Sequence, residues 1–341
     1  MFRIGLTPDF HTDAKGHFEN VISTQFGDVP DCEVVTIPAQ PGNTATPEAL
    51  QDLDAVLALA MKFSADSLKG SPRLAVIGRW GVGYDMMDVP ALTKAGVALC
   101  ITPNGVRRPV AEANLTMIFA LAKNLFALDR MARGGLWRRQ LTTLGGDIDG
   151  KVLGSVGCGN IGKEMFRIAQ SLGFSRFIAC DPMVRQEDVT ELGVELVDME
   201  TLCRTSDFLT VNCMQNKDTI DLVAEKELRM MKPTAYLVNL ARGGIVHHDA
   251  LVQALRENWI AGAGIDVYPA EPPPEDDALF ALDNVIVTPH ALAWTELIMR
   301  NNGTEACQAV RAVMRGEVPG GIVNRDVVNA PQFVSKLERY K

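Results

Sequence analysis

Three residues with acid–base or anion-binding side chains, Arg242, Glu271 and His290, each follow a short apolar run that predicts a β-strand. A guanidinium can bind a carboxylate bidentately. A histidine that titrates near neutrality can give a proton to a carbonyl oxygen and take it back, and a neighbouring glutamate would favour its protonated form and fix its ring. Each residue alone has an ordinary structural explanation. Their joint placement therefore carries the prediction of keto-acid reduction or hydroxy-acid oxidation.

A glycine-rich motif supplies the second chemical signal. Gly157, Gly159 and Gly162 have GxGxxG spacing and lie between a predicted strand at 152–157 and a helical run at 163–172. Such glycines allow a tight turn and let the backbone approach a pyrophosphate at the N-terminus of the helix. An isolated motif of this kind is most often only a turn, but the flanking strand and helix favour a dinucleotide site.

Asp181 decides between the two forms of a nicotinamide dinucleotide. It ends the next predicted strand, at 177–180, about 20 residues after the glycine motif. A carboxylate there accepts hydrogen bonds from the adenosine 2′-hydroxyl and repels a 2′-phosphate. Arg185 is the only nearby base that argues otherwise. The sequence therefore predicts NAD and not NADP.

Two runs of alternating strands and helices must position these residues. The first run predicts strands at 3–7, 33–37, 55–59, 74–78 and 97–101. The second run predicts strands at 152–157, 177–180, 208–213, 235–240, 262–267 and 285–288. The predicted fold class is α/β, with two doubly wound parallel-sheet domains and a cleft between them. Ligands of such sheets bind at the carboxyl ends of the strands, where the candidate residues lie.

Two further helical segments accompany the predicted sheets. Residues 110–131 are apolar on more than one face, which predicts a helix buried inside a domain or across a dimer interface. A final amphipathic helix is predicted at about 305–315. We expect this last segment to pack back onto the first domain.

Composition excludes several classes of protein. A chain of 341 residues is long enough for two domains, and its net charge of -9 would repel nucleic acid. Its seven cysteines are scattered without metal-ligand spacing, so we expect reduced thiols and no metal site. The apolar start of the chain stops at Pro8, too soon for a signal peptide or a membrane span. We therefore expect a cytoplasmic protein with no nucleic-acid or membrane partner.

The sequence resembles the D-isomer-specific 2-hydroxyacid dehydrogenases along nearly its whole length. The resemblance is carried by RWGVGYD at 79–85, VAE at 110–112, the glycine motif with Asp181, MKP at 231–233, VNLARGGIV at 238–246, DV at 266–267, EP at 271–272 and TPH at 288–290. It implies a flavodoxin-like substrate domain made of residues 1–102 and 295–341, a Rossmann NAD-binding domain at 103–294, and a homodimer. It also implies hydride transfer between nicotinamide and a small 2-hydroxy or 2-keto acid, such as glyoxylate or hydroxypyruvate.

The resemblance also assigns roles to individual residues. Arg242 would bind the substrate carboxylate with help from the backbone N–H groups of Val82 and Gly83, while His290 would be the acid–base group and Glu271 its partner. The residues expected at the cofactor, with Asp266 at the nicotinamide carboxamide, are Gly157, Gly159, Asn160, Ile161, Gly162, Asp181, Ala241 and Asp266.

A substrate pocket is predicted around Met61, Lys62, Trp80 and Trp294. These residues flank a strand end, the carboxylate-binding loop and His290. Core packing is an almost equal alternative explanation for the two tryptophans.

Two segments depart from the family pattern. Residues 212–216 read NCMQN where many members have His-Xaa-Pro-Leu-Thr, which puts the usual cofactor contacts there in question. His247 and His248 replace an acidic pair, and we interpret them as a solvated helix start because adjacent helical side chains point apart. Glu271 argues against formate as the substrate, since formate-type members lack that partner.

Two other functions stay open at this point. A 3-phosphoglycerate dehydrogenase uses the same scaffold but needs extra basic residues, for which Lys62, Arg79, Arg107 and Arg108 are the candidates. A non-catalytic NAD(H)-sensing protein of the co-repressor type would have the same fold. The complete set of arginine, glutamate and histidine favours an enzyme.

Overall fold

The computed structural model describes all 341 residues. The chain divides into two compact units, each with its own sheet. Unit 1 comprises Met1–Val106 and Trp294–Lys341, and unit 2 comprises Arg107–Ala293. Unit 1 is therefore built from both ends of the chain.

Unit 1 contains a five-stranded parallel sheet in the order β2-β1-β3-β4-β5, which is the flavodoxin-like order. Its strands are β1 (Phe2–Leu6), β2 (Cys32–Thr36), β3 (Ala55–Ala58), β4 (Val76–Arg79) and β5 (Ala98–Cys100). Every residue of β3 is buried, as expected for a parallel sheet with both faces covered. All five strands predicted from the apolar runs are present.

The helices of unit 1 come from both parts of the chain. They are α1 (Phe10–Asp13), α2 (Glu19–Phe26), α3 (Pro47–Leu50), α4 (Val89–Lys94), α11 (Glu296–Met314) and α12 (Pro331–Glu338). The last segment is tied to the sheet by Asn324, whose side chain accepts from the N–H of Leu99 and donates to the carbonyl of Val97. The Nζ of Lys336 donates to three main-chain carbonyls, those of Leu74, Ala95 and Gly96.

Helix α11 begins nine residues earlier than the sequence predicts. The prediction missed this first half because it contains residues that are poor helix formers. Thr295 caps it by accepting a hydrogen bond from the N–H of Ile298 at 3.3 Å. Gly303 lies against the indole of Trp80, where a Cβ atom would come within 2.3 Å of the ring. Packing against Trp80, not helix propensity, explains the glycine at this position.

Unit 2 contains a seven-stranded parallel sheet in the order β12-β11-β10-β9-β6-β7-β8, the Rossmann order extended by one strand. Its strands are β6 (Val152–Val156), β7 (Arg176–Cys180), β8 (Val194–Leu196), β9 (Phe208–Val211), β10 (Tyr236–Asn239), β11 (Gly262–Ile265) and β12 (Val285–Val287). Six were predicted. The seventh, β8, has only three residues at the edge of the sheet, too short to give a hydrophobic pattern.

Six helices belong wholly or partly to unit 2. They are α5 (Pro103–Ala122, whose first four residues belong to unit 1), α6 (Leu125–Arg133), α7 (Asn160–Ala169), α8 (Met199–Thr205), α9 (Glu225–Met230) and α10 (His248–Arg256). No helix of the chain is both long and apolar enough to span a bilayer.

The prediction of a single helix at 110–131 is wrong in one respect. It is broken into α5 and α6 at Asn124, which has the left-handed φ of 50°. Asparagine adopts this conformation more readily than most residues, which allows the backbone to turn here. The apolar pattern continues across the turn, and this is why the sequence predicted one helix. Many residues of α5 are buried, whereas none of α6 is.

Candidate active site

The carboxyl ends of the unit 2 strands carry most of the residues predicted to do chemistry. Because all seven strands are parallel, the loops after β6, β7, β9, β10, β11 and β12 leave the sheet at one edge. The predicted residues that lie on these loops, or on the helix turn that follows β6, are Gly157, Gly159, Asn160, Ile161, Gly162, Asp181, Ala241, Arg242, Asp266, Glu271 and His290.

The glycine motif forms a tight turn between β6 and α7. Gly157 has a φ of +91°, and a Cβ atom there would lie 2.7 Å from the backbone nitrogen of Cys213. A Cβ atom on Gly162 would lie 2.9 Å from the carbonyl oxygen of Gly157. At Gly159, which precedes α7, a Cβ atom would meet nothing within 4 Å. The turn thus leaves open space next to the N-terminus of α7, which fits a pyrophosphate.

Asp181 is fixed beside this turn. Its Oδ2 accepts a hydrogen bond from the N–H of Cys158 at 2.8 Å, and its Oδ1 accepts one from the N–H of Met183 at 2.8 Å. The first of these bonds links the carboxylate directly to the glycine motif. The position fits a residue that recognises the adenosine ribose of a dinucleotide.

Glu271 and His290 form a hydrogen-bonded pair. The Nδ1 atom of His290 lies 2.7 Å from Oε2 of Glu271, and the other carboxylate oxygen accepts the N–H of Tyr268 at 3.0 Å. Partial burial raises the pKa of the Glu271 carboxyl. The hydrogen bond and charge of His290, helped by the Tyr268 N–H and the charge of Arg242, outweigh that effect and lower the pKa below its usual value. An ionised carboxylate only accepts hydrogen bonds, so Nδ1 of His290 must carry the proton that they share.

Asp266 holds the loop on which His290 lies. This buried carboxylate accepts three hydrogen bonds on Oδ1, from the hydroxyl of Thr288 at 2.6 Å and from the N–H groups of Ala291 at 3.1 Å and Leu292 at 3.3 Å. His290 itself has a left-handed φ of +53°, which is unfavourable for a residue with a side chain. The flanking hydrogen bonds stabilise that conformation and so fix the direction of the imidazole.

Arg242 lies on the loop after β10, where a close backbone contact determines its position. A Cβ atom on Gly243 would lie 1.9 Å from the carbonyl carbon of Tyr268, so only glycine fits there. The side chain of Asn239 donates to the Arg242 carbonyl and accepts from the Ala241 N–H. The loop of Arg242 therefore packs against the loop of Glu271, which explains why the guanidinium lowers the pKa of that carboxyl.

The sequence did not predict Tyr268, which supports the loops of Glu271 and His290. Tyr268 contacts Glu271 through its N–H and donates its hydroxyl to the carbonyl of Thr288 at 3.0 Å. Burial raises the pKa of the Tyr268 hydroxyl to about 12, so it stays a donor. Tyr268 lies between Asp266 and Glu271 in the chain. Its position there is the only signal that the sequence offered.

The predicted pocket residues of unit 1 have different surroundings. Met61 is fully buried in a core cluster with Phe63 and Ile77, which leaves its side chain no surface for a ligand. Trp80 is also buried, with its ring 4.9 Å from that of Phe10. Lys62 is exposed, and Trp294 is 39% exposed. Core packing therefore explains Met61 and Trp80 better than a pocket does.

The two segments that depart from the family pattern have clear local roles. The side-chain amide of Asn212 donates to the hydroxyls of Ser155 and Thr210, and its oxygen accepts from Asn114 at 3.2 Å. His247 caps α10 by accepting the N–H of Ala250, and His248 lies 3.3 Å from Asp277. The histidine pair therefore starts a helix, as predicted.

Comparison with known proteins identifies the family. Residues 115–291, more than half of the chain, match the model of the D-isomer specific 2-hydroxyacid dehydrogenase, NAD binding domain. The chain belongs to the D-isomer-specific 2-hydroxyacid dehydrogenases. The matched residues of this dehydrogenase include the whole predicted cofactor set together with Arg242, Glu271 and His290. The predicted family, α/β fold class and nicotinamide cofactor are confirmed, and the chain is an NAD-dependent oxidoreductase of 2-hydroxy acids.

Individual relatives agree with this assignment. A glyoxylate reductase of Korarchaeum cryptofilum is 36% identical over 294 residues, which are 85% of this dehydrogenase and 88% of that protein. A D-3-phosphoglycerate dehydrogenase of Methanocaldococcus jannaschii is 36% identical over 296 residues, which are 86% of this chain but only 56% of that protein. The crystal structure of D-lactate dehydrogenase from Aquifex aeolicus with NAD and lactic acid shares the fold. Its TM-score is 0.81 at 23% identity, covering 94% of this chain and 100% of that one.

The lowered pKa of Glu271 predicts a pH-dependent contribution to the stability of this dehydrogenase. A carboxyl whose pKa is lowered on folding stabilises the folded state above its ordinary pKa of about 4.3, and this stabilisation is lost as the pH falls through the lowered value. Glu271→Gln should therefore have a lower Tm than the wild type at pH 7. The difference should shrink as the pH is reduced below about 4. Thermal unfolding from pH 7 to pH 3 measures it.

Glu275→Gln is the matched control, since Glu275 is exposed on the same loop and has no hydrogen-bond or ion-pair partner. It should follow the wild type at every pH. A Tm difference for Glu271→Gln that is the same at pH 7 and pH 3 would show that the ionised pair does not stabilise the fold.

Proposed function

We propose that this dehydrogenase reduces a small 2-keto acid, with glyoxylate as the first candidate, using NADH and the residues Arg242, Glu271 and His290. The observation that carries the proposal is the 2.7 Å hydrogen bond between His290 and Glu271, at the carboxyl edge of the NAD-binding sheet. Arg242 lies on the neighbouring loop, close enough for its charge to act on Glu271. Glyoxylate is favoured because relatives of similar length at 36% identity are glyoxylate reductases.

His290 is the proton donor in this proposal. Because Nδ1 shares its proton with Glu271, Nε2 is the ring atom that can exchange a proton with the carbonyl oxygen of the substrate. The ionised Glu271 stabilises the imidazolium and fixes the ring. When bound, the reduced nicotinamide supplies the hydride that the carbonyl carbon accepts.

Arg242 binds the substrate carboxylate. Its planar guanidinium offers parallel N–H donors that match the two oxygens of a carboxylate. The glycine at 243 and the hydrogen bonds of Asn239 hold the loop from which this side chain extends. A substrate without a carboxylate would lack this two-point contact, so we expect 2-keto acids to be preferred over simple ketones.

The cofactor is held by residues already placed along the same edge. The turn at Gly157, Gly159 and Gly162 and the N-terminus of α7, with Asn160 and Ile161, would receive the pyrophosphate. Asp181 would bind the ribose and disfavour NADPH. Ala241 and Asp266 would lie at the nicotinamide, and Oδ2 of Asp266 is available because all three hydrogen bonds of that carboxylate go to Oδ1.

Oxidation of 3-phosphoglycerate is the weaker candidate. Three of the four basic residues that would bind its phosphate are already engaged. Arg107 and Arg108 lie 3.7 and 3.5 Å from the carboxylate of Glu164, and Arg79 donates to the main chain of its own loop. Only Lys62 is left to bind the phosphate.

A non-catalytic NAD(H) sensor would have no use for a proton donor paired with an ionised glutamate.

A second copy of the chain is the proposed partner, and an exposed apolar surface in unit 2 supports it. The surface is formed by α5, α6 and the loop after α6. Phe126 on α6 is 46% exposed, and Trp137 on the loop is 67% exposed. Phe119, Leu125 and Phe126 line one groove of about 430 Å³, together with Ile286 and Leu292. Contiguous apolar surface of this kind marks interfaces.

The cytoplasmic location also stays a proposal, based on seven cysteines that are all free thiols.

Turnover of keto acids tests the proposed reaction. We expect the wild type to oxidise NADH with glyoxylate much faster than NADPH. His290→Asn should lower kcat by at least about 100-fold while the Kd for NADH is unchanged, because a proton donor acts only on the chemical step. Arg242→Ala should also raise KM for glyoxylate by about 10-fold or more. Steady-state kinetics and NADH fluorescence titration measure these effects.

Arg139→Ala, a change at an exposed arginine of unit 2, is the control and should leave both constants unaltered. A wild type that binds NADH yet oxidises it with no member of a broad 2-keto acid panel would refute the enzyme and favour the sensor. Full turnover in His290→Asn would remove the histidine from the mechanism.

The mass of the assembly in solution tests the proposed homodimer. The wild type should sediment at twice the chain mass of 37.1 kDa. Phe126→Glu should shift it to the mass of one chain, because a charge in an apolar interface is costly to bury. Val318→Glu, at an apolar residue of unit 1 that is 55% exposed, should have no effect. A wild type of single-chain mass at micromolar concentration would end the dimer proposal.

A further inference from the structure

A series of side-chain hydrogen bonds lies inside unit 2, at the start of the segment that departs from the family pattern. Nδ2 of Asn114 donates to Oδ1 of Asn212 at 3.2 Å. Nδ2 of Asn212 donates to the hydroxyl of Ser155 at 3.0 Å. That hydroxyl in turn donates to the carbonyl of Gly157 at 2.6 Å. Three hydrogen bonds therefore link helix α5 to the first glycine of the dinucleotide motif.

The direction of each hydrogen bond in this series follows from its first member. Nδ2 of Asn114 also lies 3.0 Å from the carbonyl of Val110, which can only accept. The amide of Asn114 is thereby oriented, so Asn212 must present its oxygen to Asn114 and its NH2 group to Ser155. The hydroxyl of Ser155 accepts that N–H and keeps its own proton for Gly157. Hydrogen bonds that run in one direction strengthen one another.

The peptide group between Gly157 and Cys158 is held on both sides. Its carbonyl accepts the Ser155 hydroxyl, and its N–H donates to Oδ2 of Asp181 at 2.8 Å. The peptide is trans, so its C=O and N–H point in opposite directions and these two bonds fix its plane. The series thus continues from α5 through the glycine turn to the carboxylate that is predicted to recognise the ribose.

Burial makes the series sensitive to the loss of one member. Asn114 and Ser155 have no exposed surface. A buried polar group that loses its partner costs more free energy than an ordinary hydrogen bond contributes. Without the Ser155 hydroxyl, the carbonyl of Gly157 would lose the donor that directs it inward. The N–H of the same peptide would then no longer be held toward Asp181.

We propose that Ser155 and Asn212 are positioning residues of the cofactor site, which orient the Gly157–Cys158 peptide and, through it, the carboxylate of Asp181. The inference rests on the proposed function for the place of the dinucleotide. Ser155 is fully buried, so it acts only through the turn. Asn212 acts through Ser155, whose hydroxyl it directs toward the carbonyl of Gly157. The departure from the family pattern at Asn212 therefore supplies internal support for the site.

NADH binding without a keto acid tests the proposal. Fluorescence titration of the full chain gives the Kd, and thermal unfolding gives Tm. Ser155→Ala should raise the Kd for NADH by about tenfold, because the turn loses the bond that orients it. Asn212→Leu should raise it by about threefold or more. The double variant should lie within about twofold of Ser155→Ala, because both changes interrupt the same series.

Thr210→Val is the matched control. Thr210 is also fully buried, and its hydroxyl accepts from Nδ2 of Asn212 at 3.0 Å. That hydroxyl donates to the carbonyl of Gly154 at 3.0 Å, which lies in strand β6 and not in the turn. Thr210→Val should therefore lower Tm about as much as Ser155→Ala, yet leave the Kd for NADH within about twofold of the wild type.

The comparison of the two hydroxyls separates positioning from general stability. Equal increases of the Kd in Ser155→Ala and Thr210→Val would overturn the proposal, as would an unchanged Kd in Ser155→Ala or a wild type that does not bind NADH. Increases that multiply in the double variant would show that Asn212 does not act through Ser155. Weaker NADH binding in Ser155→Ala alone, in a wild type that reduces no keto acid, would support the positioning role while refuting the proposed reaction.

Discussion

The hydrogen bond between His290 and Glu271 is the interaction on which the rest of the site depends. It requires two loops from neighbouring strands, β11 and β12, to meet with their side chains 2.7 Å apart. Asp266 fixes one loop through three hydrogen bonds to residues around His290, and Tyr268 fixes the other through its N–H. Both supporting residues belong to the turn after β11. One short segment therefore determines the distance between the two side chains and the tautomer of the imidazole.

The same reasoning extends to Arg242, the arginine proposed to bind the substrate. Gly243 allows the loop after β10 to touch the backbone of Tyr268, so that Arg242, Glu271 and His290 come from three adjacent strands. The parallel sheet brings the loops after these three strands to one edge. Small or hydrogen-bonding residues then allow close contacts between the loops. Charged groups held in such fixed loops need little reorganisation during the reaction.

Much of the fold and of the site could be predicted from the sequence, because parallel strands buried on both faces appear as continuous apolar runs. The place of Arg242 and His290 at the carboxyl edge of the sheet could be predicted because each directly follows such a run. The break at Asn124 and the early start of α11 at Glu296 could not, since each depends on a local turn or on packing against a distant side chain. The hold of Asp266 on the His290 loop was also beyond the sequence, because it joins residues that only the folded sheet brings together.

The most direct test of the pair is a double-mutant cycle on kcat/KM with Glu271→Gln, His290→Asn and the double variant. Because Glu271 is assigned a role only through His290, we expect the double variant to be no slower than His290→Asn alone, so that the two losses are strongly non-additive. If the losses instead multiply, each residue acts independently and the proposed coupling of carboxylate and imidazole is wrong.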